Sequence, residues 1–222
     1  MHPEIISNAA DIERRSMEII AAELAARDFQ PEPESEAILK RVIHTTADFD
    51  YIENLSLSPG AVPRALSALK SGTPIVTDTN MAKSGINQRA LKTLGLELHC
   101  DMASPEVVAA AKQSGQTRAI EAQKLAAERY PGAILVVGNA PTALLEICQL
   151  IEQGLRPALV VGVPVGFVNV VESKEEIIST CTRYGLPYIV ARGRKGGSNV
   201  AAAIINALLY MALNQVEPGD RL

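Results

Sequence analysis

The sequence predicts an α/β fold in which one doubly wound, mostly parallel β-sheet carries helices on both faces. The first observation behind this prediction is a set of short Val, Ile and Leu runs, of which residues 133–138 are the clearest. Such runs, without polar alternation, are typical of strands that are buried on both faces. The second observation is that each run is followed by a loop and then by apolar residues at helical spacing. We therefore expect a Rossmann-like sheet.

The length and composition favour a single domain. The 222 residues are 47% hydrophobic and 21% charged, which is typical of a globular protein with a substantial core. No repeat or low-complexity linker divides the chain. We predict one domain over residues 1–213 and a loose C-terminal tail over residues 214–222.

The first third of the chain is predicted to be mainly helical. Apolar residues recur at helical intervals over residues 11–27, and Pro31 and Pro33 then break the pattern. A second helix follows over residues 37–44. A short strand is predicted over residues 51–57 and a third helix over residues 63–71.

From residue 74 onward, strands and helices alternate. The predicted strands are 74–78, 96–100, 133–138, 158–162 and 188–191. The predicted helices are 87–94, 105–130 with a break near residue 115, 141–152, 174–184 and 199–213. In a parallel sheet, the loops that leave the carboxyl ends of the strands gather at one edge, which is where ligands bind.

Four of these loops are rich in polar residues or glycine: 77–85, 138–142, 162–169 and 192–199. The last one holds Arg192, Arg194 and Lys195 among glycines at the start of a helix. Free amides at a helix N-terminus favour anions, so we interpret this loop as an anion site. A solvated basic turn would explain the same spacing. The loop at 138–141 is equally well explained as a tight turn with proline at the first helical position.

The kind of anion stays open at this point. No G-x-x-x-x-G-K-[ST] motif is present, and no G-x-G-x-x-G motif follows a strand. The sequence thus lacks both a nucleotide P-loop and a dinucleotide fingerprint. Carboxylates compete with phosphates as the ligand.

Several classes of protein are disfavoured. The net charge of -4 and the absence of tryptophan argue against nucleic acid as a partner. No apolar run reaches the roughly 18 residues of a membrane span, and the N-terminus does not resemble a signal peptide, so we expect a cytoplasmic protein. The cysteines are odd in number and lie in apolar segments, and neither His2 nor His99 has the spacing of a metal ligand. We predict free thiols and no metal site.

His44 is the candidate for proton transfer, because it comes at the end of the second predicted helix. An imidazole titrates near neutral pH and can donate or accept a proton in a cleft. By residue type alone, a structural or helix-capping histidine is an equally valid interpretation.

Four motifs occur in order along the chain: Val-Ile-His-Thr-Thr at 42–46, Gly-Asn-Ala-Pro-Thr-Ala-Leu at 138–144, Gly-Val-Pro-Val-Gly-Phe-Val at 162–168 with Glu-Ser-Lys at 172–174, and Arg-Gly-Arg-Lys-Gly-Gly-Ser at 192–198. Together they resemble the precorrin-8X methylmutase family of vitamin B12 biosynthesis, which includes the cobalt-precorrin-8 methylmutases. The likeness extends from about residue 5 to residue 210. The segment at 44–48 resembles the cobalt-handling branch more than the cobalt-free one.

This resemblance implies a cofactor-free isomerase that moves a methyl group from C11 to C12 of the corrin macrocycle. It also implies a homodimer with the active site near the subunit interface. His44 matches the family's catalytic histidine, which donates and accepts a proton. Ser16, Arg41 and Arg118 match positions that contact substrate, whereas Asn87 stands where some relatives carry threonine.

The resemblance also implies a role for the basic residues, namely binding the carboxylates of the substrate. Precorrin-8X carries acetate and propionate groups, and arginine binds carboxylates in a bidentate manner. The expected substrate-binding residues are Arg15, Ser16, Arg41, Lys83, Asn87, Arg118, Arg192, Arg194, Lys195, Gly196 and Ser198. Two alternatives are a corrinoid carrier without activity and a Rossmann-like enzyme that acts on a phosphorylated metabolite.

Overall fold

The computed structural model of the protein describes residues 7–215. Within this range, six strands form one sheet in the order β1-β6-β5-β4-β2-β3. Their bounds are β1 Leu55–Leu57, β2 Ile75–Thr77, β3 Leu98–His99, β4 Ile134–Val137, β5 Leu159–Gly162 and β6 Tyr188–Ala191. β1 pairs antiparallel with β6 at one edge, and the other neighbours are parallel. The predicted sheet type is confirmed.

The helices of the described range connect and cover these strands. They are α1 Ala9–Ala26, α2 Glu36–Thr46, α3 Tyr51–Asn54, α4 Ala61–Lys70, α5 Asn80–Gly85, α6 Gln88–Leu94, α7 Pro105–Ser114, α8 Arg118–Arg129, α9 Pro141–Glu152, α10 Val170–Arg183 and α11 Ser198–Ala212. The predicted break between α7 and α8 is confirmed, and Gly115 ends α7 with a φ of 71°.

The sheet has a separate hydrophobic core on each face, because successive strand residues point to opposite sides. In β4, Ile134 and Val136 belong to a core shared with α2, α4, α5 and α11. Leu135 and Val137 belong to a second core shared with α8, α9 and α10. This alternation confirms the doubly wound arrangement with helices on both faces.

The connection order reverses between β2 and β4. From β2 the chain moves outward to β3 and then crosses back to β4 on the other side of β2. The crevice outside the carboxyl ends of strands at such a switch point is the usual ligand site of this fold class. The residues that leave β2 and β4 at this point are Asp78 and Gly138.

Three predicted elements need correction. Residues 51–54 form a helical turn rather than a strand, because the backbone and side-chain amides of Asn54 both donate to the carbonyl of Asp50. The segment at 77–85 contains α5, whose N-terminus is capped by Thr79 Oγ1 accepting from the Ala82 amide at 3.1 Å. β3 is shorter than predicted, because the Leu96 amide closes the end of α6 by bonding to the carbonyl of Leu91.

Two further predictions concern the ends of elements and of the chain. α10 begins at Val170, four residues before the predicted start at 174. The predicted loose tail over 214–222 lies outside the described residues from 216 onward. None of the described helices is long and apolar enough to span a membrane.

Candidate active site

His44 lies in the last turn of α2, and its side chain is exposed on the single chain. Its pKa is lowered from the ordinary value of 6.5. The larger cause is desolvation of the part of the ring that packs against the protein, and the second cause is the positive charge of Arg41 one turn earlier. The imidazole is therefore mainly neutral at neutral pH, and the protonated minority is the form that can donate a proton.

A double ion pair joins the end of α2 to the basic loop. Lys195 Nζ lies 2.5 Å from a carboxylate oxygen of Asp48 and 2.5 Å from one of Asp50. The hydrogen bond from Lys195 lowers the pKa of Asp48, and the two carboxylates raise the pKa of Lys195. Because Asp48 follows His44 by four residues, His44 and the loop at 192–198 lie at the same edge of the sheet.

Glycines determine the path of this loop. Gly193, Gly196 and Gly197 have φ values of 69°, 157° and 128°. A Cβ atom on Gly196 would lie 2.2 Å from the carbonyl oxygen of Val163, so a larger residue does not fit. The Gly197 amide donates to that same oxygen at 2.8 Å. The basic loop therefore packs directly on the loop that leaves β5.

A buried lysine holds the same loop from the protein side. Lys174, on α10, has no exposed surface, and its Nζ donates to the carbonyls of Gly193 at 2.9 Å and Lys195 at 2.8 Å. Burial lowers its pKa to about 8. The carbonyl between them, that of Arg194, accepts from the Gly166 amide at 3.2 Å. Three successive carbonyls of the loop are thus bonded to the protein.

A buried carboxylate holds the loop at the switch point. Asp78 has no exposed surface and accepts from the amides of Gly138 at 2.9 Å, Asn139 at 2.8 Å and Ala140 at 2.9 Å. Burial raises its pKa, while the three amides act in the opposite direction. In this fold class such amides commonly bind a phosphate, but here the chain's own carboxylate uses them. The sequence-based interpretation of 138–141 as a plain tight turn omits this carboxylate.

The cations of the basic loop differ in their partners. Arg192 lies 3.6 Å from the carboxylate of Glu175, and Lys195 is held by its two aspartates. The guanidinium of Arg194 lies 5.4 Å from the centre of the Phe167 ring. Among the described residues, no carboxylate pairs with Arg194.

Lys83 and Arg118 resemble Arg194 in this respect. Neither pairs with a carboxylate of residues 7–215, and both lie at the carboxyl edge of the sheet. Lys83 is in α5, which follows β2, and Arg118 is the first residue of α8. Thr117, which caps α8, lies 3.3 Å from the hydroxyl of Thr142 at the start of α9. The uncommitted cations are thus distributed over several strand ends.

Two arginines of the predicted set have carboxylate partners in α1. Arg15 pairs with Glu18 at 3.0 Å on the exposed surface. Arg41 pairs with Glu13 at 2.7 Å, and both side chains are half-buried. The Arg41 guanidinium also lies 5.5 Å from the ring centre of Tyr210. These contacts fix the side chain of Arg41, which lies one helical turn before His44.

Two polar residues of the predicted set have structural contacts. Asn87 Oδ1 caps α6 by accepting from the amides of Arg89 and Ala90, and its Nδ2 donates to Tyr210. The hydroxyl of Ser198 lies 2.9 Å from that of Thr79. The structure accounts for both residues without a ligand.

Large exposed apolar side chains of the described residues lie on the loop after β5, on α5 and on α1. Phe167 and Val168 are 82% and 77% exposed on the loop after β5, and Met81 is 75% exposed on α5. On α1, Ile12 and Ile19 are exposed and lie on the same helical face as Ser16. Apolar groups of this size at a polar edge commonly contact a ligand or another protein.

The comparisons with known proteins agree on one family. A family model described as precorrin-8X methylmutase matches residues 11–211. The chain belongs to the precorrin-8X methylmutase family. It is 43% identical to a cobalt-precorrin-8 methylmutase of Leptospira interrogans, covering 96% of this chain and 99% of that one. It is 51% identical over 179 residues to a cobalt-precorrin-8 methylmutase of Salmonella typhimurium, covering 80% and 82%.

A solved structure shares the fold of this methylmutase. It is the precorrin-8X methylmutase of Thermus thermophilus, with a TM-score of 0.82, 39% identity, and coverage of 91% of this chain and 98% of that one. The family resemblance inferred from the four motifs is therefore confirmed, and with it the assignment of the chain as an isomerase. Within residues 7–215, no group of three or more His, Cys, Asp or Glu side chains is placed to hold a metal ion.

Asp78 and Lys174 were not predicted as residues of the site. The signal for Asp78 was an acidic residue directly after a buried strand, next to a loop with free amides. For Lys174 the only signal was a lysine at a position that helical spacing places on the buried face of α10, between Val170 and Ile177. Neither signal identifies the bonding partner, which lies elsewhere in the chain.

Proposed function

We propose that this methylmutase moves a methyl group from C11 to C12 of precorrin-8X or its cobalt form, and that His44 donates and recovers the proton that this requires. Protonating the conjugated macrocycle changes its electron distribution and eases the migration. A positioned acid of this kind typically contributes about 10²–10⁴ in rate.

The observation that carries this proposal is the ion pair between Lys195 and the two aspartates after α2. It puts an imidazole and a basic, amide-rich loop at one edge of the sheet. An acid next to a set of carboxylate-binding groups is what a polycarboxylate substrate with a protonatable ring needs. The apolar ring would lie against Phe167 and Val168.

We assign the strongest carboxylate contacts to Lys83, Arg118 and Arg194. Each is a cation without a carboxylate partner among the described residues, so binding a substrate carboxylate breaks no existing ion pair. Arg15, Arg41, Arg192 and Lys195 would have to exchange partners or bind as part of a network. The residues with structural contacts, Asn87 and Ser198, would act mainly by shaping the site, as would Gly196.

We further propose a homodimer with the active site near the subunit interface. The exposed face of α1, with Ile12 and Ile19 beside Ser16, supports this arrangement because a partner subunit would cover its apolar side chains. Light scattering on the purified protein tests it directly. As an enzyme of a biosynthetic pathway, it is proposed to act in the cytoplasm.

The cobalt form is the better candidate for the natural substrate. Two similar relatives, at 51% and 43% identity, are named cobalt-precorrin-8 methylmutases. Incubating the purified protein with precorrin-8X and with cobalt-precorrin-8 reports the preference, because the chromophore changes with the rearrangement. Faster conversion of the cobalt form is expected.

The role of His44 is tested with the variant His44→Ala. We expect turnover to fall by about 10²-fold or more, the usual contribution of a general acid. Binding of hydrogenobyrinic acid should change little, because the carboxylate contacts remain. The matched control is His99→Gln, at a histidine held by Glu97 and Tyr130 away from α2. A folded His44→Ala variant with near-normal turnover would remove His44 from the mechanism.

A further inference from the structure

Lys174 is the largest side chain of the described protein that is fully buried, and it carries a charge. Burying an ammonium costs free energy unless its N–H groups find acceptors. Here the acceptors are two carbonyls of the basic loop, at 2.9 and 2.8 Å. Nonpolar residues of similar size would fill the space without that cost, so the packing of α10 alone does not explain a lysine.

The contacts of Lys174 determine which backbone groups of the loop stay available. The carbonyls of Gly193, Arg194 and Lys195 all accept bonds from within the protein. By contrast, the amides of residues 193–196 donate to no described residue. Backbone amides without internal acceptors are available to bind an anion.

The same contacts fix the backbone from which the side chain of Arg194 projects. With the carbonyls on either side of Arg194 bonded to one buried Nζ, the backbone of Arg194 has little freedom to rotate. Its guanidinium can then rest on Phe167 without a carboxylate to hold it. The two hydrogen bonds of Lys174 Nζ go to backbone carbonyls of the loop.

We propose that Lys174 is a positioning residue for the methylmutase reaction: by binding the carbonyls of Gly193 and Lys195, it directs the free amides and Arg194 of the basic loop toward the substrate's carboxylates. This inference rests on the proposed function, in which the loop binds those carboxylates. Lys174 acts through the loop and does not contact the reacting atoms.

The test is a binding experiment with the full-length variant Lys174→Met, which is unbranched and only one bond shorter than lysine and which removes its donors. The probe is hydrogenobyrinic acid, titrated at pH 7. We expect the dissociation constant to rise about 10-fold or more, because removing the donor leaves the carbonyls of Gly193 and Lys195 without their partner and the loop shifts to satisfy them. The control is Lys112→Met, which removes the same charge from an exposed position on α7. The control should bind like the wild type.

A double-mutant cycle separates positioning from a general loss of structure. If Lys174 acts through the loop, Arg194→Met should weaken binding clearly in the wild type but less than about 2-fold in the Lys174→Met background. Arg118→Met, at the start of α8, should weaken binding equally in both backgrounds. The proposal would be overturned if Arg194→Met weakened binding as much in the Lys174→Met background as in the wild type. It would also be overturned if the Lys174→Met single variant bound with wild-type affinity.

If Lys174→Met does not fold, Lys174→Leu takes its place, since leucine also lacks N–H donors. The affinity for hydrogenobyrinic acid should again fall, and Arg194→Met should again weaken binding less than it does in the wild type. Wild-type affinity together with a full Arg194 effect would refute the inference. The proposed function fails on a different result, namely a wild-type protein that neither binds hydrogenobyrinic acid nor converts precorrin-8X.

Discussion

The two loops that leave β4 and β6 are each held by a buried charge, and the two charges have opposite signs. At 138–140, the carboxylate of Asp78 accepts from three backbone amides. At 193–195, the ammonium of Lys174 donates to two backbone carbonyls. A buried anion therefore consumes the groups that bind anions, whereas a buried cation leaves them free.

This difference explains why backbone amides are expected to bind an anionic group of the ligand at only one of the two loops. The crevice at the switch point between β2 and β4 is where phosphate binds in many proteins of this fold class. Here its amides already have an acceptor, which argues against an enzyme that binds a phosphorylated metabolite at that position. The loop after β6 keeps its amides and an unpaired arginine for the substrate.

The largest expected effect comes from removing the carboxylate of Asp78. Asp78→Ala leaves three amides without an acceptor, of which that of Gly138 is buried, and we expect a loss of about 4 kcal/mol in the free energy of unfolding. Urea denaturation measures this. The control is Glu128→Ala, at an exposed acid on α8, which should change the free energy of unfolding by less than about 0.5 kcal/mol. A loss below about 1 kcal/mol for Asp78→Ala would mean that water replaces the carboxylate at little cost.

The pH dependence of stability compares the two buried charges directly. The pKa of Lys174 is about 8 in the folded protein against an ordinary value of 10.5. Above pH 8 the unfolded chain therefore binds more protons, so stability rises with pH up to 10.5, by about 3 kcal/mol over that range. Because Lys174→Met lacks this contribution, the gap in unfolding free energy between the wild type and the variant should change between pH 7 and pH 10. A constant gap would contradict the assigned pKa.

Asp78 should show the opposite trend at acidic pH. Its pKa is raised from 3.8 by burial, so just above that value the folded protein binds the extra proton. Stability contributed by this residue therefore falls as the pH rises through that window.

The sequence predicted the sheet, its mostly parallel strands and the basic loop, because these depend on local patterns of apolar and charged residues. The start of α5 was missed, since the hydroxyl of Thr79 that caps it gives no periodic signal. The sequence also could not predict which groups bind the charged side chains of the site. Lys195 and Asp48 are 147 residues apart, and Asp78 and Gly138 are 60 apart. Only the fold brings such groups together.

A third prediction concerns the contact between the basic loop and the loop after β5. In Gly196→Ala the new methyl group would collide with the carbonyl of Val163, and we expect a loss of about 2 kcal/mol in unfolding free energy together with weaker binding of hydrogenobyrinic acid. The control is Gly154→Ala, because Gly154 also has a positive φ, 113°, but nothing lies within 4 Å of its added Cβ. Equal losses in both variants would show that backbone strain, not the contact, matters.

The smallest expected effect is a difference in ligand affinity between two variants of the loop, one at a cation without a carboxylate partner and one at a paired cation. Arg194→Met should weaken binding of hydrogenobyrinic acid by about 10-fold, as expected for loss of one charge-assisted carboxylate contact. Arg192→Met should weaken it by less than about 3-fold, because Arg192 pairs with Glu175 at the exposed surface. Isothermal titration on both variants makes the comparison. A larger effect at Arg192 would reverse the assignment.

The amides after β6, and not those after β4, are available to the substrate. Amide hydrogen exchange measured by NMR, with and without hydrogenobyrinic acid, tests it most directly. We expect the amides of residues 193–196 to exchange rapidly in the free protein and slowly in the complex, while those of Gly138, Asn139 and Ala140 are protected in both. Protection of residues 193–196 without ligand, or no change on binding, would contradict the claim.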